Sequence, residues 1–245
     1  MQIWVGTSGF SYKHWRGGVF YPQGLPVSQE FAFYNRNFAT VELNNPFYRL
    51  PSREQFVRWR RSAAPGFLFA VKASRYITHN KKLLDPEPSL ALLAERLEGL
   101  GPKLGPVLFQ LPASFKPNLE RLQAFLAAVP RRWRVAMEFR HPGWFTPEVY
   151  AVLQRRSAAL CWAVSPQSPE PARVRTAKFV YLRMHGGQAQ GANFGNAELR
   201  KWARRLTAEQ AVEAFVYFNN DWEGFAPANA LAFRALLEQR RRTAA

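Results

Sequence analysis

Six apolar runs in this chain stop in the same way: Val41-Glu42-Leu43-Asn44-Asn45, Phe69-Ala70-Val71-Lys72, Val107-Leu108-Phe109-Gln110, Val135-Ala136-Met137-Glu138-Phe139-Arg140-His141, Tyr181-Leu182-Arg183-Met184-His185 and Val216-Tyr217-Phe218-Asn219-Asn220-Asp221. Each reads as a buried strand whose hydrogen-bonding or ionisable groups collect at its C-terminal end. Residues two apart in a strand share a face, so Glu42 projects with Asn44, Glu138 with Arg140, and Arg183 with His185. Parallel strands stack such pairs around a common mouth, which is how an α/β barrel gathers a site from distant stretches of chain.

Adding the runs at 3–5 and 159–164 gives eight expected strands: 3–5, 40–44, 67–73, 107–111, 134–139, 159–164, 179–184 and 214–219. Between them, amphipathic stretches with helical spacing fall at 29–38, 53–63, 88–100, 119–129, 147–156, 197–206 and 228–240. Ser52 with Gln55 fits a capping box, and Pro147 suits a first helical turn. Strand and helix in repeated alternation mean parallel pairing with right-handed crossovers. Strands apolar along their whole length fit a sheet covered on both faces. The chain has 245 residues, 47% of them hydrophobic, close to the roughly 250 of a one-domain eight-stranded barrel. The expected fold class is therefore α/β, a single (β/α)8 TIM-type barrel over residues 1–245. Pro166, Pro169 and Pro171 leave no room for a full helix, so the link between strands six and seven should be irregular.

Composition narrows the setting. The single cysteine, Cys161, lies inside an apolar run, which excludes an intrachain disulfide and points to a buried structural thiol. Met1-Gln2-Ile3-Trp4-Val5 enters a strand with no basic segment before it, unlike a signal peptide. No apolar stretch approaches the roughly 20 residues that span a bilayer. A cytoplasmic protein without a membrane partner is expected. The net charge of +17 calls for a polyanionic partner, nucleic acid among them, or for a solvated arginine-rich exterior. Much of the charge lies in clusters: Arg58/Arg60/Arg61, Arg131/Arg132/Arg134, Arg155/Arg156, Arg200/Lys201/Arg204/Arg205 and Arg240/Arg241/Arg242. A nucleic-acid surface requires such clusters to merge into one stripe.

The candidate chemistry sits at the strand ends. Glu138 and Arg140 interrupt an apolar run where a lone charge would cost several kcal/mol, so they satisfy each other or a ligand. The pair is either a structural ion pair or a general acid/base with its cation. Glu42, beside Asn44, can supply a second carboxylate. Lys72 reads as an anion anchor; Arg183 and His185 add a fixed charge and a group that titrates near neutrality. Gln110, Asn219 and Asn220 complete the polar set, although Asn also favours ordinary turns, and His141 closes the fifth run. Tyr12, Trp15, Phe47, Tyr48 and Trp144 are expected to wall the site. Glu42, Glu138, His141, His185 and Asp221 are metal-ligand types, but Arg140 and Arg183 on the same strand ends would repel a cation. Neither a metal nor a cofactor is assigned. The chain contains no P-loop, GxGxxG, zinc-type Cys/His spacing or GxSxG elbow.

With these blocks in order, the sequence resembles the YecE-like family, known only as a domain of unknown function. The resemblance runs from Gly6-Thr7-Ser8-Gly9-Phe10-Ser11-Tyr12 with Trp15 and Phe20-Tyr21-Pro22, through Thr40-Val41-Glu42-Leu43-Asn44 with Phe47-Tyr48-Arg49-Leu50-Pro51, and on to Phe109-Gln110-Leu111-Pro112. It continues in Glu138-Phe139-Arg140-His141-Pro142 with Trp144, Leu182-Arg183-Met184-His185-Gly186, and Tyr217-Phe218-Asn219-Asn220-Asp221 with Asn229-Ala230. It implies a TIM-type barrel and supplies no reaction. The chain departs from it at Gly191-Ala192-Asn193-Phe194-Gly195, where members tend to carry a tyrosine-containing stretch.

The functional expectation is an enzyme doing metal-independent acid/base chemistry on an anionic or phosphorylated small molecule at the C-terminal mouth of the barrel. Glu138, Glu42 and His185 would handle protons, while Lys72, Arg140 and Arg183 would hold the anion. Two other classes compete: a nucleic-acid-binding or nucleic-acid-processing protein using its basic surface, and a metal-dependent hydrolase or isomerase.

Overall fold

A computed structural model describes residues 1–168, 170–209 and 211–244. The strands are β1 (Gln2–Thr7), β2 (Thr40–Leu43), β3 (Leu68–Lys72), β4 (Leu104–Gln110), β5 (Val135–Glu138), β6 (Ala159–Val164), β7 (Phe179–Met184) and β8 (Glu213–Phe218). The helices are α1 (Glu30–Asn37), α2 (Asn45–Tyr48), α3 (Arg53–Ser62), α4 (Glu87–Leu97), α5 (Leu119–Ala128), α6 (Pro147–Arg156), α7 (Asn196–Thr207) and α8 (Phe225–Ala244). The strands join in the order β1-β8-β7-β6-β5-β4-β3-β2, the order of a (β/α)8 TIM-type barrel. Pairing is parallel wherever its register is resolved: β1 with β8, β3 with β4, β4 with β5, and β5 with β6. Between β6 and β7 the described residues form an isolated bridge, Ser165 to Ser168, and no helix. Pro169, one of the three prolines that predict this, lies outside the described residues.

Local chemistry accounts for the element boundaries. Ser52 accepts the Gln55 N–H at 3.3 Å and Asn118 accepts the Arg121 N–H at 2.8 Å, capping α3 and α5. Pro147 opens α6, and Ser157 closes it in the left-handed region at φ 53°. On α4, Leu90, Leu93 and Leu97 are buried; on α5, Leu122, Phe125 and Leu126 are buried. These are the stripes of helices that cover a sheet. Strand β4 begins three residues earlier than the pattern predicts, because Gly105-Pro106 reads as a break. Its register with β3 steps from Phe69↔Leu104 to Val71↔Val107, so one extra residue bulges out of the ladder and absorbs the missing proline donor.

The chain falls into two compact units. Unit 1 comprises Met1–Val41, Trp162–Pro171 and Tyr181–Ala245, and unit 2 comprises Glu42–Cys161 and Ala172–Val180. Unit 1 holds β1 and β8 whole, with the Trp4 and Phe215 rings stacked across them at 4.7 Å. Unit 2 holds β3, β4 and β5 whole, with residues 105–109 of β4 all buried. Cys161 is free and buried, as its apolar run implies. Among the described residues no helix is long and apolar enough to cross a membrane.

Within unit 1 the seam between β1 and the start of β2 is made by a side chain. The Tyr34 hydroxyl, from α1, accepts the Thr7 N–H at 3.0 Å and donates to the Thr40 carbonyl at 3.0 Å. Burial pushes this phenol well above the usual tyrosine range, so it stays a neutral donor. Gly6 permits the approach, since a Cβ there would overlap the Thr40 carbonyl oxygen. Replacing Tyr34 by Phe leaves a buried N–H and a buried C=O unsatisfied, and urea unfolding should show a loss of about 2–4 kcal/mol. A loss below about 1 kcal/mol would mean that water or backbone closes the seam instead.

Candidate active site

In unit 2 the polar groups expected at the strand ends lie on adjacent strands. Gln110 pairs in register with Glu138 across β4 and β5, and Lys72 lies level with Leu108 across β3 and β4. The Glu138 side chain is fully buried, and Arg140 turns back to set Nη2 2.5 Å from its Oε1 while staying one-third exposed. The other carboxylate oxygen faces the Cys161 thiol, whose Sγ is 3.9 Å from Oε2. A buried carboxylate needs such a partner, because desolvation alone would cost several kcal/mol.

Glu42 is fully buried on β2, and Asn44 follows as the N-cap residue of α2. Asn44 Oδ1 is buried and, among the described residues, meets no hydrogen-bond donor. The single turn of α2 presents Phe47, whose ring lies 3.8 Å below Lys72 Nζ in a cation–π contact. Tyr48 is 74% exposed and packs edge-on against Phe47. A π-helical turn, Tyr76–Asn80, follows β3 and delivers His79 edge-on to the same ring, 5.0 Å between centroids. Burial, then the Lys72 and Arg75 charges, hold His79 below its ordinary value of 6.5. His141 accepts the Gly143 N–H at 3.1 Å and so caps the short turn Pro142–Trp144. Trp144 is buried, stacks on Phe139 at 4.9 Å and donates to the Phe115 carbonyl at 2.8 Å.

Unit 1 gathers a second set. Arg183 is 1% exposed on β7, and its Nη1 lies 3.4 Å from His185 Nε2. The Asn219 side-chain Nδ2 lies 3.0 Å from His185 Nδ1. Asp221 receives two donors from the loop after β1, Trp15 Nε1 at 2.5 Å and His14 Nε2 at 3.1 Å. Tyr12 stacks near Trp15 and donates to the Ser8 carbonyl at 2.6 Å. Asn220 is buried and donates to Asn229 Oδ1 at 2.7 Å, and that oxygen also receives the Phe194 N–H.

The structure thus groups Lys72, Gln110, Glu138 and Arg140 on adjacent strands of unit 2, and Arg183, His185 and Asn219 in unit 1. It adds His79 and His14, which the residue pattern does not single out, and it turns the Asp221 carboxylate to the loop after β1. Among the described residues no group of three or more His, Cys, Asp or Glu side chains is placed to hold a metal ion.

The arrangement can be set against known proteins. The family model described as a protein of unknown function, DUF72, matches residues 4–245. The chain belongs to this family. A solved DUF72 family structure from Thermotoga maritima superposes with a TM-score of 0.87 at 31% identity, covering 97% of this chain and 100% of that one. The UPF0759 protein YecE of Escherichia coli K12 is 31% identical over 145 residues, 59% of this chain and 50% of YecE. The match therefore spans about half the length of YecE. The UPF0759 protein YunF of Bacillus subtilis is 26% identical over 278 aligned positions, 97% of this chain and 95% of YunF. These likenesses carry the barrel fold and no reaction.

The environment of His79 has a measurable consequence. Its folded-state pKa is depressed, so the unfolded chain binds the proton more readily and stability rises with pH across that interval. The contribution is present above the ordinary histidine range and is lost as pH falls through it toward the lowered value. An NMR titration should place the His79 midpoint below 6.5, and Lys72→Met should raise it without restoring 6.5, because burial is the larger cause. An unmoved midpoint in K72M would remove the lysine from the account.

Proposed function

We propose that this DUF72 family protein is an enzyme that moves a proton on an anionic or phosphorylated small molecule, with its chemistry at the C-terminal ends of β2 to β5 in unit 2. Glu138 is the proton-transfer group and Glu42 the second carboxylate. Lys72 and Arg140 hold the anion, and Gln110 and Asn44 orient it. The observation that carries this reading is the company of the Glu138–Arg140 pair: a fully buried carboxylate and a one-third-exposed guanidinium stand at the strand ends with Gln110, in register with Glu138, and Lys72 of β3. The exposed third of Arg140 is where an oxyanion can meet its guanidinium fork.

The pair also suggests how binding and chemistry are coupled. An incoming anion competes with Glu138 for the same guanidinium. As Arg140 turns to the ligand, the Glu138 carboxylate loses its counter-charge in a water-poor setting and becomes a stronger base. Lys72, steadied over the Phe47 ring, supplies fixed positive charge on the neighbouring strand. In unit 1, His185 is assigned proton handling on its own account, with Arg183 Nη1 beside one ring nitrogen and the Asn219 amide beside the other.

Thermal-shift screening against phosphorylated and carboxylated metabolites should find ligands that stabilise the wild type and stabilise Lys72→Met much less. Incubating those ligands with enzyme in D2O reads proton transfer directly, as deuterium appearing at a carbon-bound hydrogen. Glu138→Gln should keep the fold and slow the exchange by about 100-fold or more. Wild-type exchange in E138Q would exclude Glu138 from the reaction.

A further inference from the structure

Three basic clusters that are far apart in sequence meet in unit 2, at the ends of β4 and β5 opposite to Gln110 and Glu138. A groove of about 560 Å³ is lined by Gly101, Leu104, Arg132, Trp133 and Arg134, together with Glu98. A second groove, of about 320 Å³, lies between α5 and α6 and is lined by Gln123, Arg131, Arg155 and Arg156. The segment from Pro130 to Arg134 runs between them and serves both. Arg60 borders the first groove, since a Cβ on Gly101 would lie 3.0 Å from its Nη1. The linings of the two grooves contain one carboxylate, Glu98, which stands 4.0 Å from Arg53.

Part of this charge has structural work. Lys103 donates to the Ala63 and Ala64 carbonyls beyond α3, and Arg156 donates to Leu126, Val129 and Pro130 at 3.2, 3.2 and 2.9 Å where α5 ends. Arg134 reaches the Leu104 carbonyl at 3.3 Å. Such contacts satisfy helix and strand ends and complement the helix dipole. They leave Arg131, Arg132 and Arg155 to be explained, all exposed. The first two sit in a loop past the α5 cap. The crowding is electrostatically unfavourable: burial and then Arg60 push Lys103 below its ordinary range, and burial and then Arg131 do the same to Arg156. Like charges packed this closely are relieved by a polyanion.

We infer that this rim of unit 2 binds the phosphodiester backbone of a nucleic acid. Guanidinium forks suit phosphate oxygens, and cations on both sides of one exposed segment suit a ligand that repeats its charge along its length. Among the described residues, none of the large exposed apolar side chains lines either groove, whereas a membrane-binding face pairs its cations with apolar side chains that insert. The rim is separate from the proposed catalytic strand ends and does not depend on them.

The test uses the full chain and three fluorescein-labelled probes of one sequence: single-stranded RNA, single-stranded DNA and duplex DNA. Anisotropy titrations between about 50 and 200 mM KCl should show binding that weakens with salt. Arg131→Gln/Arg132→Gln/Arg155→Gln should weaken it about 10- to 100-fold and flatten the slope of log K against log salt by about two to three. The single variants should each carry a share, which keeps the test open if the triple folds poorly. Neutralising three cations elsewhere, Arg200→Gln/Lys201→Gln/Arg204→Gln on α7, should leave binding within about twofold, after allowance for the general charge effect. Tighter binding of RNA than of DNA, or the reverse, assigns the ligand within the same inference. Equal losses in the two triple variants, or no binding of any probe at about 50 mM salt, would overturn it. So would vesicles containing phosphatidylserine that bind through the rim when no nucleic acid does.

Discussion

One phenolic oxygen joins the first strand to the second. The Tyr34 hydroxyl answers both the Thr7 N–H and the Thr40 carbonyl, groups that would otherwise be buried and unpaired at a cost of about 1–3 kcal/mol each. The same strand start is tied to β8, where the Thr40 hydroxyl lies 2.8 Å from the Tyr217 hydroxyl. Fixing Thr40 fixes the phase of β2. Glu42 lies two residues on and so takes the same face, and Asn44 and Phe47 come at the turn beyond. The side chains offered for chemistry thus begin from a seam that has no chemical role of its own.

Beyond the seam, burial trades against charge. Parallel strands covered on both faces tolerate almost no polar side chain along their length, so charge is confined to their ends. Buried charge is held in pairs: Glu138 with Arg140 at the end of β5, and Glu30, which is 1% exposed at the start of α1, with Arg16 at 2.6 Å. The two pairs serve different ends. Glu30 also receives the Ser11 hydroxyl at 2.6 Å and ties down the loop after β1, where the satisfaction is complete and the role structural. Glu138 meets the Arg140 guanidinium and the weak thiol donor of Cys161 at the C-terminal end of β5.

The eight strands and seven longer helices are legible in the sequence because apolar runs and helical periodicity are set by burial, and burial here is nearly complete in the strands. The elements that escape are short. The four residues of α2 and the five of the π-turn are less than two helical turns, too few for a period to show, yet they place Phe47 and His79 against Lys72. Single side chains escape as well. His14 lies in a glycine-bounded loop, and its meeting with Asp221 joins positions 14 and 221, a separation no local pattern encodes. His141 shows the opposite case. Its place at the close of the fifth apolar run suggests a ligand contact, while the adjoining Pro142-Gly143 makes a turn whose N–H it caps. Tyr48 and Trp144, both expected to wall the site, divide between a largely exposed ring and a buried brace.

The basic clusters illustrate why composition needs topology before it becomes an argument. Net charge alone describes solubility and non-specific attraction. In an alternating α/β chain each helix runs back against its strand, so helix C-termini and strand N-termini share one end, and the helix dipole draws cations there. Arginines that end α3, precede β5 and end α6 are therefore brought to one end of the unit by the fold's own topology, whatever their later use. The carboxylates at the other end of β2 and β5 meet the reverse condition, since helix N-termini favour negative charge. In unit 2 the strand direction separates a basic rim from a carboxylate-bearing one, and β4, at about 3.3 Å per residue, sets them some 20 Å apart. Ligands at the two ends can therefore be bound and tested independently.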